Sequence, residues 1–208
     1  VIEKSNYDRY IPCAGGMASS MRKFLPLNID KAIGTEVKSV HFTWKSQDFV
    51  KADLSGDSPF LIIKRENLDQ LLINEAINHG TQLLISSTIS KINKERDNWV
   101  INCSNKNTYK SKFLVIADGS ESQWPQHLNL GPKKPKYAQT IAIRLQGLGN
   151  IAKQSVRFEF GSIKSGFAWA FPLKDSVNIG LGSFLGNYKL NDRNLNHQII
   201  DNFGFNIK

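Results

Sequence analysis

The chain has 208 residues, of which 40% are hydrophobic and 22% charged, which excludes wholesale disorder and suits one large domain or two modest ones. Its apolar runs are far shorter than the roughly 20 residues of a membrane span, so no part is expected to cross a bilayer. The 27 basic and 18 acidic residues give a net charge of +9, which suits an anionic partner or a solvated surface. Nucleic acid is disfavoured, because no arginine cluster interleaves with aromatic residues.

The first residues are typical of the end of a buried strand. Glu3 follows the apolar Val1 and Ile2, where a dinucleotide-binding fold puts the carboxylate that binds a ribose. A solvated glutamate after an ordinary strand is the alternative. Val1 is not an initiator methionine, and an apolar helical spacing at residues 191–203 runs almost to the last residue. We therefore expect a fragment cut at both ends, with a glycine-rich phosphate loop upstream of Val1.

An irregular stretch with Pro12, Cys13, Gly15 and Gly16 comes next. Its glycines would let the backbone approach a ligand closely. The pattern then predicts a short helix at residues 17–24 and strands at residues 40–44, 49–53 and 60–64.

The firmest predicted helix covers residues 66–79, and Gly80 follows it where a left-handed cap is expected. Its apolar residues have helical spacing and form one stripe, which consists of Leu68, Leu71, Leu72, Ala76 and Ile77. Arg65 lies between the preceding strand and this helix. Such junctions face ligands in open α/β sheets, and a surface role is the alternative.

Further strands are predicted after the helix, at residues 82–85, 87–92, 99–103 and 109–116. The last contains most of the apolar run 113–117, which is typical of a strand covered on both faces, and stops before Asp118-Gly119. A carboxylate and a glycine at the end of such a strand can hold a hydroxylated ligand while backbone amides face its phosphates. An ordinary strand-to-turn junction is the alternative.

A cluster of lysines and prolines near residues 133–137 separates this mixed pattern from a β-rich one. The later strands are predicted at residues 139–145, 155–160, 166–173 and 177–184. We therefore predict an α/β (α+β) fold with two domains, residues 1–134 and residues 135–208, the second being antiparallel and β-rich.

Three rings alternate with small residues in the strand at residues 166–173, so Phe167, Trp169 and Phe171 share one face. If the following turn is a two-residue loop, Trp169 lies opposite Gly180, Phe171 opposite residue 178 and Phe167 opposite residue 182. The rings would then face missing side chains, which leaves space for an apolar ligand. A three-residue loop would put Leu181 opposite Trp169, and glycines fitted around core rings are a further alternative.

Several of these segments resemble the geranylgeranyl reductase family of FAD enzymes, whose fold is of the p-hydroxybenzoate hydroxylase type. The resemblance rests on the Tyr-Ile-Pro-Cys-Ala-Gly-Gly-Met run at residues 10–17, Arg65 before its helix, Asp118-Gly119, and the Gly-Phe-Ala-Trp-Ala-Phe-Pro run at residues 166–172. The sequence departs from the family at Ala14, where a third glycine is usual in the family, and at Phe167, where the family commonly has tyrosine.

The resemblance implies an incomplete FAD-binding, Rossmann-like domain followed by a substrate domain. For the cofactor it implies a ribose contact by Glu3 and flavin contacts by Arg65, Asp118 and Gly119. It places Cys13, Gly15 and Gly16 beside the isoalloxazine ring. For the substrate it implies an isoprenoid pocket with Phe167, Trp169 and Phe171. NADPH or another electron donor is implied with FAD.

The expected reaction is saturation of a carbon–carbon double bond in a geranylgeranyl-type isoprenoid, with hydride from reduced flavin and a proton from the protein. Cys13 is the candidate catalytic residue, because a thiol can release a proton near neutral pH. Inert packing is the alternative for a cysteine. An FAD-dependent aromatic or alkene monooxygenase and a non-catalytic isoprenoid-binding protein are the competing functions. The fragment alone is expected to retain FAD weakly and to be inactive.

The remaining titratable residues indicate no metal site, since the four histidines lack the spacing of metal ligands. Cys13 and Cys103 are far apart and have no Cys-x-x-Cys partner. We therefore expect a reduced, cytoplasmic location, with peripheral contact to a membrane as an option.

Overall fold

A computed structural model describes residues 1–6, 9–56, 59–132, 134–184, 190–197 and 202–204. These residues fold into two compact units, residues 1–9 with 72–136 (the first unit) and residues 10–71 with 137–208 (the second unit). Each unit consists of two separate stretches of the chain. The continuous domains at residues 1–134 and 135–208 therefore stay a prediction.

The described chain combines mixed sheets with few helices, which confirms an α+β fold. The strands in chain order are β1 (Gly16–Ala18), β2 (Ile33–Val37), β3 (Ser39–Trp44), β4 (Gln47–Asp53), β5 (Phe60–Ile63), β6 (Ile89–Glu95), β7 (Asn98–Cys103), β8 (Thr108–Ser111), β9 (Gln139–Gln146), β10 (Ser155–Phe160), β11 (Gly166–Pro172) and β12 (Ser176–Ser183). The helices are α1 (Arg65–Asn78), α2 (Trp124–His127) and α3 (Asp192–His197), with 3-10 helices at Ser19–Phe24 and Asp30–Ala32.

A six-stranded sheet in the order β4-β3-β10-β11-β12-β9 dominates the second unit. Neighbouring strands of this sheet are antiparallel, except that β3 and β10 are parallel. Alternation of side chains gives the sheet two different faces. One face carries buried aliphatic residues that include Ala168, Ile179 and Leu181, and Phe203 packs in the same cluster. The other face carries most of the aromatic rings.

A smaller sheet of the second unit, ordered β1-β5-β2, supports the start of α1. Its buried cluster contains Ile29, Ala32, Leu61 and Ile63, and Leu68 and Leu71 of α1 pack against it. Leu68 and Leu71 of the predicted stripe therefore form the packing face of the first turns of α1, whereas Ile77 of the same stripe is 42% exposed. The helix predicted at residues 17–24 is wrong in type, because this stretch forms β1 and then a 3-10 helix.

The end of α1 lies in the first unit and has the predicted glycine cap. Gly80 has a φ of +91°. Its amide donates to the Ile77 carbonyl, and the Thr81 amide donates to the Ala76 carbonyl, each over 2.9 Å. These bonds form a Schellman motif, which satisfies carbonyls that the helix leaves without intrahelical donors.

The first unit also contains the meander β6-β7-β8, with Val1–Glu3 running parallel to residues 84–87.

The prediction of a covered strand through residues 113–117 is wrong. β8 ends at Ser111, Phe113 and Val115 are 85% and 87% exposed, and within the described ranges no strand pairs with this run. Apolar composition alone cannot supply the neighbouring strands that would cover both faces. The strand predicted at residues 82–85 is reduced to an isolated bridge between Ile2 and Leu84.

No helix in the described part of the chain is both long and apolar enough to span a membrane.

Candidate functional site

A continuous row of rings covers one face of the six-stranded sheet and is called here the aromatic face. Phe167 lies at its centre, with ring centroids 5.6 Å from Phe158, 5.6 Å from Phe184 and 6.0 Å from Trp169. Trp169 and Phe171 are buried, whereas Phe184 is 54% exposed. The row therefore runs from a dry inner end to an open outer end; its members are Phe42, Phe158, Phe160, Phe167, Trp169, Phe171 and Phe184.

Sequence reasoning found only part of this row. Phe158 and Phe160 lie on β10 opposite Trp169 and Phe167, and the parallel strand β3 adds Phe42 beside Phe158. The alternation of Phe158 and Phe160 was a usable signal, because alternate residues of a strand share a face. The pairing of β3 with β10 joins segments more than a hundred residues apart, and local pattern does not predict it.

Of the two registers considered for β11 and β12, the structure has the one that a two-residue loop produces. Trp169 pairs with Gly180, Phe171 with Asn178 and Phe167 with Gly182. The space predicted beside Gly180 is absent, however, because a Cβ there would lie 2.2 Å from Cζ2 of Trp169. The indole itself fills the place of the missing side chain.

Asn178 connects the inner end of the aromatic face to the loop that carries Cys13. The indole Nε1–H of Trp169 donates to Asn178 Oδ1 over 2.9 Å. Nδ2 of Asn178 in turn donates to the carbonyl oxygen of Cys13 over 3.5 Å. Asn178 is buried, so these bonds matter because a buried polar group without a partner is costly. This residue was not predicted, since an asparagine in a strand has no distinctive pattern.

The side chain of Cys13 lies against Arg65 at the start of α1. Nη1 of Arg65 donates to Cys13 Sγ over 3.6 Å. The guanidinium is held by Asp69 one turn later, with Nε–Oδ1 and Nη2–Oδ2 distances of 2.9 and 3.1 Å. The bond to Asp69, followed by smaller contributions that include Cys13, raises the pKa of Arg65 above its ordinary value. The structure thus brings together two predicted site residues from distant segments.

Gly15 and Gly16 are required by packing against β5. Gly15 has a φ of +76°, and a Cβ there would lie 2.0 Å from the carbonyl oxygen of Ile63. A Cβ on Gly16 would lie 2.7 Å from the ring of Phe60 and 3.2 Å from that of Phe171. Close approach of protein atoms therefore explains both glycines, and the predicted contact with a ligand stays a prediction.

A second ion pair lies beside this loop. Arg144 on β9 is the partner of Asn178 across the sheet; it pairs with both carboxylate oxygens of Glu66 and stacks over Tyr10 at 5.0 Å. The bond from Arg144 lowers the pKa of Glu66, and the same bond raises the pKa of Arg144. Sequence reasoning missed this pair. The available signal for this pair was a charged residue inside a predicted strand, on the face opposite to Ile141 and Ile143.

The other predicted cofactor residues belong to the first unit. Oε1 of Glu3 accepts the Ser5 amide over 2.8 Å. Asp118 is exposed, and Gly119 has a φ of +95° with no protein atom within 4 Å of the place of a Cβ. An accessible carboxylate beside an uncovered glycine backbone fits a ribose and phosphate ligand. Glu3, Asp118 and Gly119 thus lie in one unit, and Cys13, Arg65 and the aromatic face in the other.

Metal ligands do not cluster in the part of the chain that the structure describes, where no group of three His, Cys, Asp or Glu side chains is placed to hold an ion.

No protein-family profile matches the chain, but curated proteins do. An uncharacterised protein of Methanosarcina barkeri is 26% identical over 97% of this chain and 50% of its own length. The digeranylgeranylglycerophospholipid reductase of Methanococcus vannielii is 25% identical over 64% of this chain and 36% of its own length. The chain thus spans about half or less of the length of these relatives.

Solved structures share the fold. A geranylgeranyl bacteriochlorophyll reductase-like protein of Thermoplasma acidophilum matches 97% of this chain and 54% of its own, with a TM-score of 0.80 and 19% identity. The halogenase PltM, solved with phloroglucinol and FAD, matches 97% of this chain and 50% of its own, with a TM-score of 0.71 and 14% identity. The resemblance to geranylgeranyl reductases is therefore confirmed in the chain's relatives and in its fold.

Proposed function

We propose that this relative of geranylgeranyl reductases belongs to an FAD-dependent oxidoreductase that saturates carbon–carbon double bonds of a geranylgeranyl-type isoprenoid. The observation that carries the proposal is the connection from the aromatic face to the Cys13 loop. It runs from the ring of Trp169 through Asn178 to the backbone of Cys13. An apolar surface is thereby joined by hydrogen bonds to the loop that carries a proton-bearing side chain.

The aromatic face is suited to binding an apolar chain along its length. Phe167 lies 5.6 Å from both Phe158 and Phe184 between ring centroids, so the three rings form a continuous apolar surface against which an isoprenoid would bury its methyl groups. The inner rings of Trp169 and Phe171 are already dry. A double bond held where the open rings meet these buried ones would be partly shielded from water.

The residues of this chain fit FAD as the cofactor. Gly119 offers uncovered backbone, and Asp118 and Glu3 are carboxylates that accept hydrogen bonds from ribose hydroxyls in dinucleotide folds. FAD is also present in the solved halogenase of the same fold. When bound, the reduced flavin supplies the hydride, and we propose NADPH or a similar donor as the source of its electrons.

Cys13 is the proposed proton source. One carbon of the double bond would take the hydride from the reduced flavin, which becomes oxidised, and the other carbon would take the proton of the Cys13 thiol. The carbon–carbon π bond, the bond that held the hydride in the flavin and the S–H bond would break while two C–H bonds form. The thiolate then regains a proton from solvent. Nη1 of Arg65 donates to Sγ over 3.6 Å and so fixes the position of the Cys13 side chain. Asp69 holds Arg65 in place.

The test is anaerobic single turnover by the protein of the full reading frame, loaded with FAD and chemically reduced. With digeranylgeranylglycerophospholipid as substrate, product mass should rise by two hydrogens per bond saturated. Phe167→Ala should raise the substrate concentration that gives half the maximal single-turnover rate, and Cys13→Ser should lower that maximal rate on the order of 100-fold, the usual contribution of general acid catalysis. Phe113→Ala, which changes an exposed ring of the first unit, serves as the control.

The same experiment separates the competing functions. Flavin that stays reduced beside the lipid until oxygen enters, followed by an oxygenated product, would establish a monooxygenase. Lipid binding with no flavin in the purified protein would establish a non-catalytic isoprenoid carrier. Either result contradicts the proposal.

A further inference from the structure

A short segment of the second unit, residues 19–27, places exposed apolar side chains beside basic ones. Met21 is 45% exposed and Phe24 is 67% exposed. Both lie on the 3-10 helix Ser19–Phe24, which has three residues per turn, so side chains three positions apart lie on the same side. Met21 and Phe24 therefore form one outward-facing apolar pair.

The inner side of the same segment is anchored. Leu25 and Leu27 pack, together with Met17, against the buried cluster of the smaller sheet. The amide of Leu25 donates to the Arg22 carbonyl over 3.1 Å and ends the helix. The exposed pair is thus presented by a fixed turn of chain, and its exposure is not the result of a frayed end.

The charges around the pair are mostly positive. Arg22 and Lys23 stand between Met21 and Phe24, and Lys31 follows, while Asp30 is the only acidic residue in the stretch 16–32. Nζ of Lys23 lies 4.9 Å from the centre of the Phe24 ring. The Lys23 ammonium thus lies over the ring face as a cation–π contact, which keeps a positive charge beside the apolar pair.

Beside the pair lies an open cavity of about 210 Å³, lined by Arg22, Leu27, Asn28, Ile29 and Asp30. Arg22 lies 3.6 Å from Asp30 across this cavity, and both side chains are exposed. An exposed pair of this kind is weak, so Arg22 can exchange Asp30 for a phosphate that lies outside the cavity, away from the Asp30 carboxylate.

We propose that residues 19–27 dock on an anionic phospholipid surface, with Met21 and Phe24 entering the acyl boundary and Arg22 and Lys23 binding headgroup phosphates. Charge complementarity favours this occupant, because interfacial segments combine apolar side chains with basic ones and anionic lipids attract the basic ones. A nucleic acid would leave Met21 and Phe24 in water. The docking goes beyond the proposed function, since it requires neither flavin nor turnover.

The test is co-sedimentation of the 208-residue chain with vesicles of phosphatidylcholine alone or mixed with phosphatidylglycerol. We expect binding to the mixed vesicles, reduced by salt and much weaker on phosphatidylcholine alone. Arg22→Gln with Lys23→Gln should lower the vesicle partition coefficient on the order of tenfold. Met21→Ser with Phe24→Ser should lower it by a similar factor, because burial of two large apolar side chains is lost.

Matched controls change similar side chains elsewhere. Phe113→Ser removes a ring that is 85% exposed, and Lys91→Gln with Lys112→Gln removes two exposed charges; both should leave the partition unchanged. All these side chains are exposed, so circular dichroism and urea unfolding should match the unchanged chain. Equal losses in the control variants would overturn the proposal. The proposal would also be overturned if sedimentation equilibrium showed that residues 19–27 drive self-association of the chain while the vesicles bind none of it.

Discussion

Trp169 and Gly180 face each other across β11 and β12, and the indole occupies the volume that a side chain at position 180 would need. The glycine is therefore part of the packing of the aromatic face. Because Trp169 is also bonded to Asn178, its ring cannot move away without breaking a buried hydrogen bond. The inner end of the face depends on these residues together.

Gly180→Ala should destabilise the protein, whereas Gly182→Ala should not. A Cβ at position 180 would lie 2.2 Å from a buried ring carbon, but at position 182 the nearest atoms would be 3.6 to 3.8 Å away, an ordinary contact. Overpacking of this kind costs about 1–3 kcal/mol. Urea unfolding of both variants checks the prediction, and equal midpoints for the two would contradict the observed packing.

Asn178→Leu should lower the free energy of unfolding by about 1–3 kcal/mol, because the buried Nε1–H of Trp169 loses its acceptor. The same change releases the carbonyl of Cys13, so the Cys13 thiol should react faster with Ellman's reagent. Asn98→Leu, at an exposed asparagine of β7, is the control. A variant as stable as its parent, with unchanged thiol reactivity, would show that the bridge does not hold the loop.

The two thiols should differ in reactivity. Cys13 is half-buried and Cys103 is buried, with 3% of its surface exposed. Ellman's reagent should therefore label one thiol rapidly in the folded protein and both in urea. Cys13→Ser should abolish the rapid phase, and Cys103→Ser should keep it. Rapid labelling of both thiols before unfolding would refute the burial of Cys103.

Glu66→Gln should show that the ion pair between Glu66 and Arg144 makes a pH-dependent contribution to the free energy of unfolding. The bond from Arg144 holds the pKa of Glu66 below its ordinary value of 4.5, so the folded state favours the carboxylate. The contribution is therefore complete above pH 4.5 and is lost as the pH falls through the lowered pKa of the folded state. Near neutral pH the variant should lose about 1 kcal/mol, and the difference should shrink in acid.

The control for this pair is Glu95→Gln. Glu95 and Lys110 lie 3.5 Å apart, but both side chains are more than half exposed, so the change should have little effect at any pH. Thermal unfolding of both variants across the acid range provides the comparison. A Glu66 variant whose deficit stays constant into acid would contradict the assigned pKa direction.

Local pattern predicted the strands β9 to β12 of the second unit well. The boundaries of β10 and the register of β11 with β12 follow from alternation and from a short connecting turn, which are properties of neighbouring residues. The same reasoning failed at residues 113–117, where apolar composition was taken to mean burial. Burial depends on whether other strands cover the segment, and those contacts are not encoded in the run itself.

The sequence by itself determined which side chains share a face, because backbone geometry fixes the direction of each side chain relative to its neighbours. It thereby placed Phe167, Trp169 and Phe171 together and capped α1 at Gly80. Only the tertiary structure decided that Arg65 lies against Cys13 and that Asn178 joins Cys13 to Trp169. These contacts join residues that are distant along the chain, and they arise when sheets and loops pack, which no local periodicity specifies.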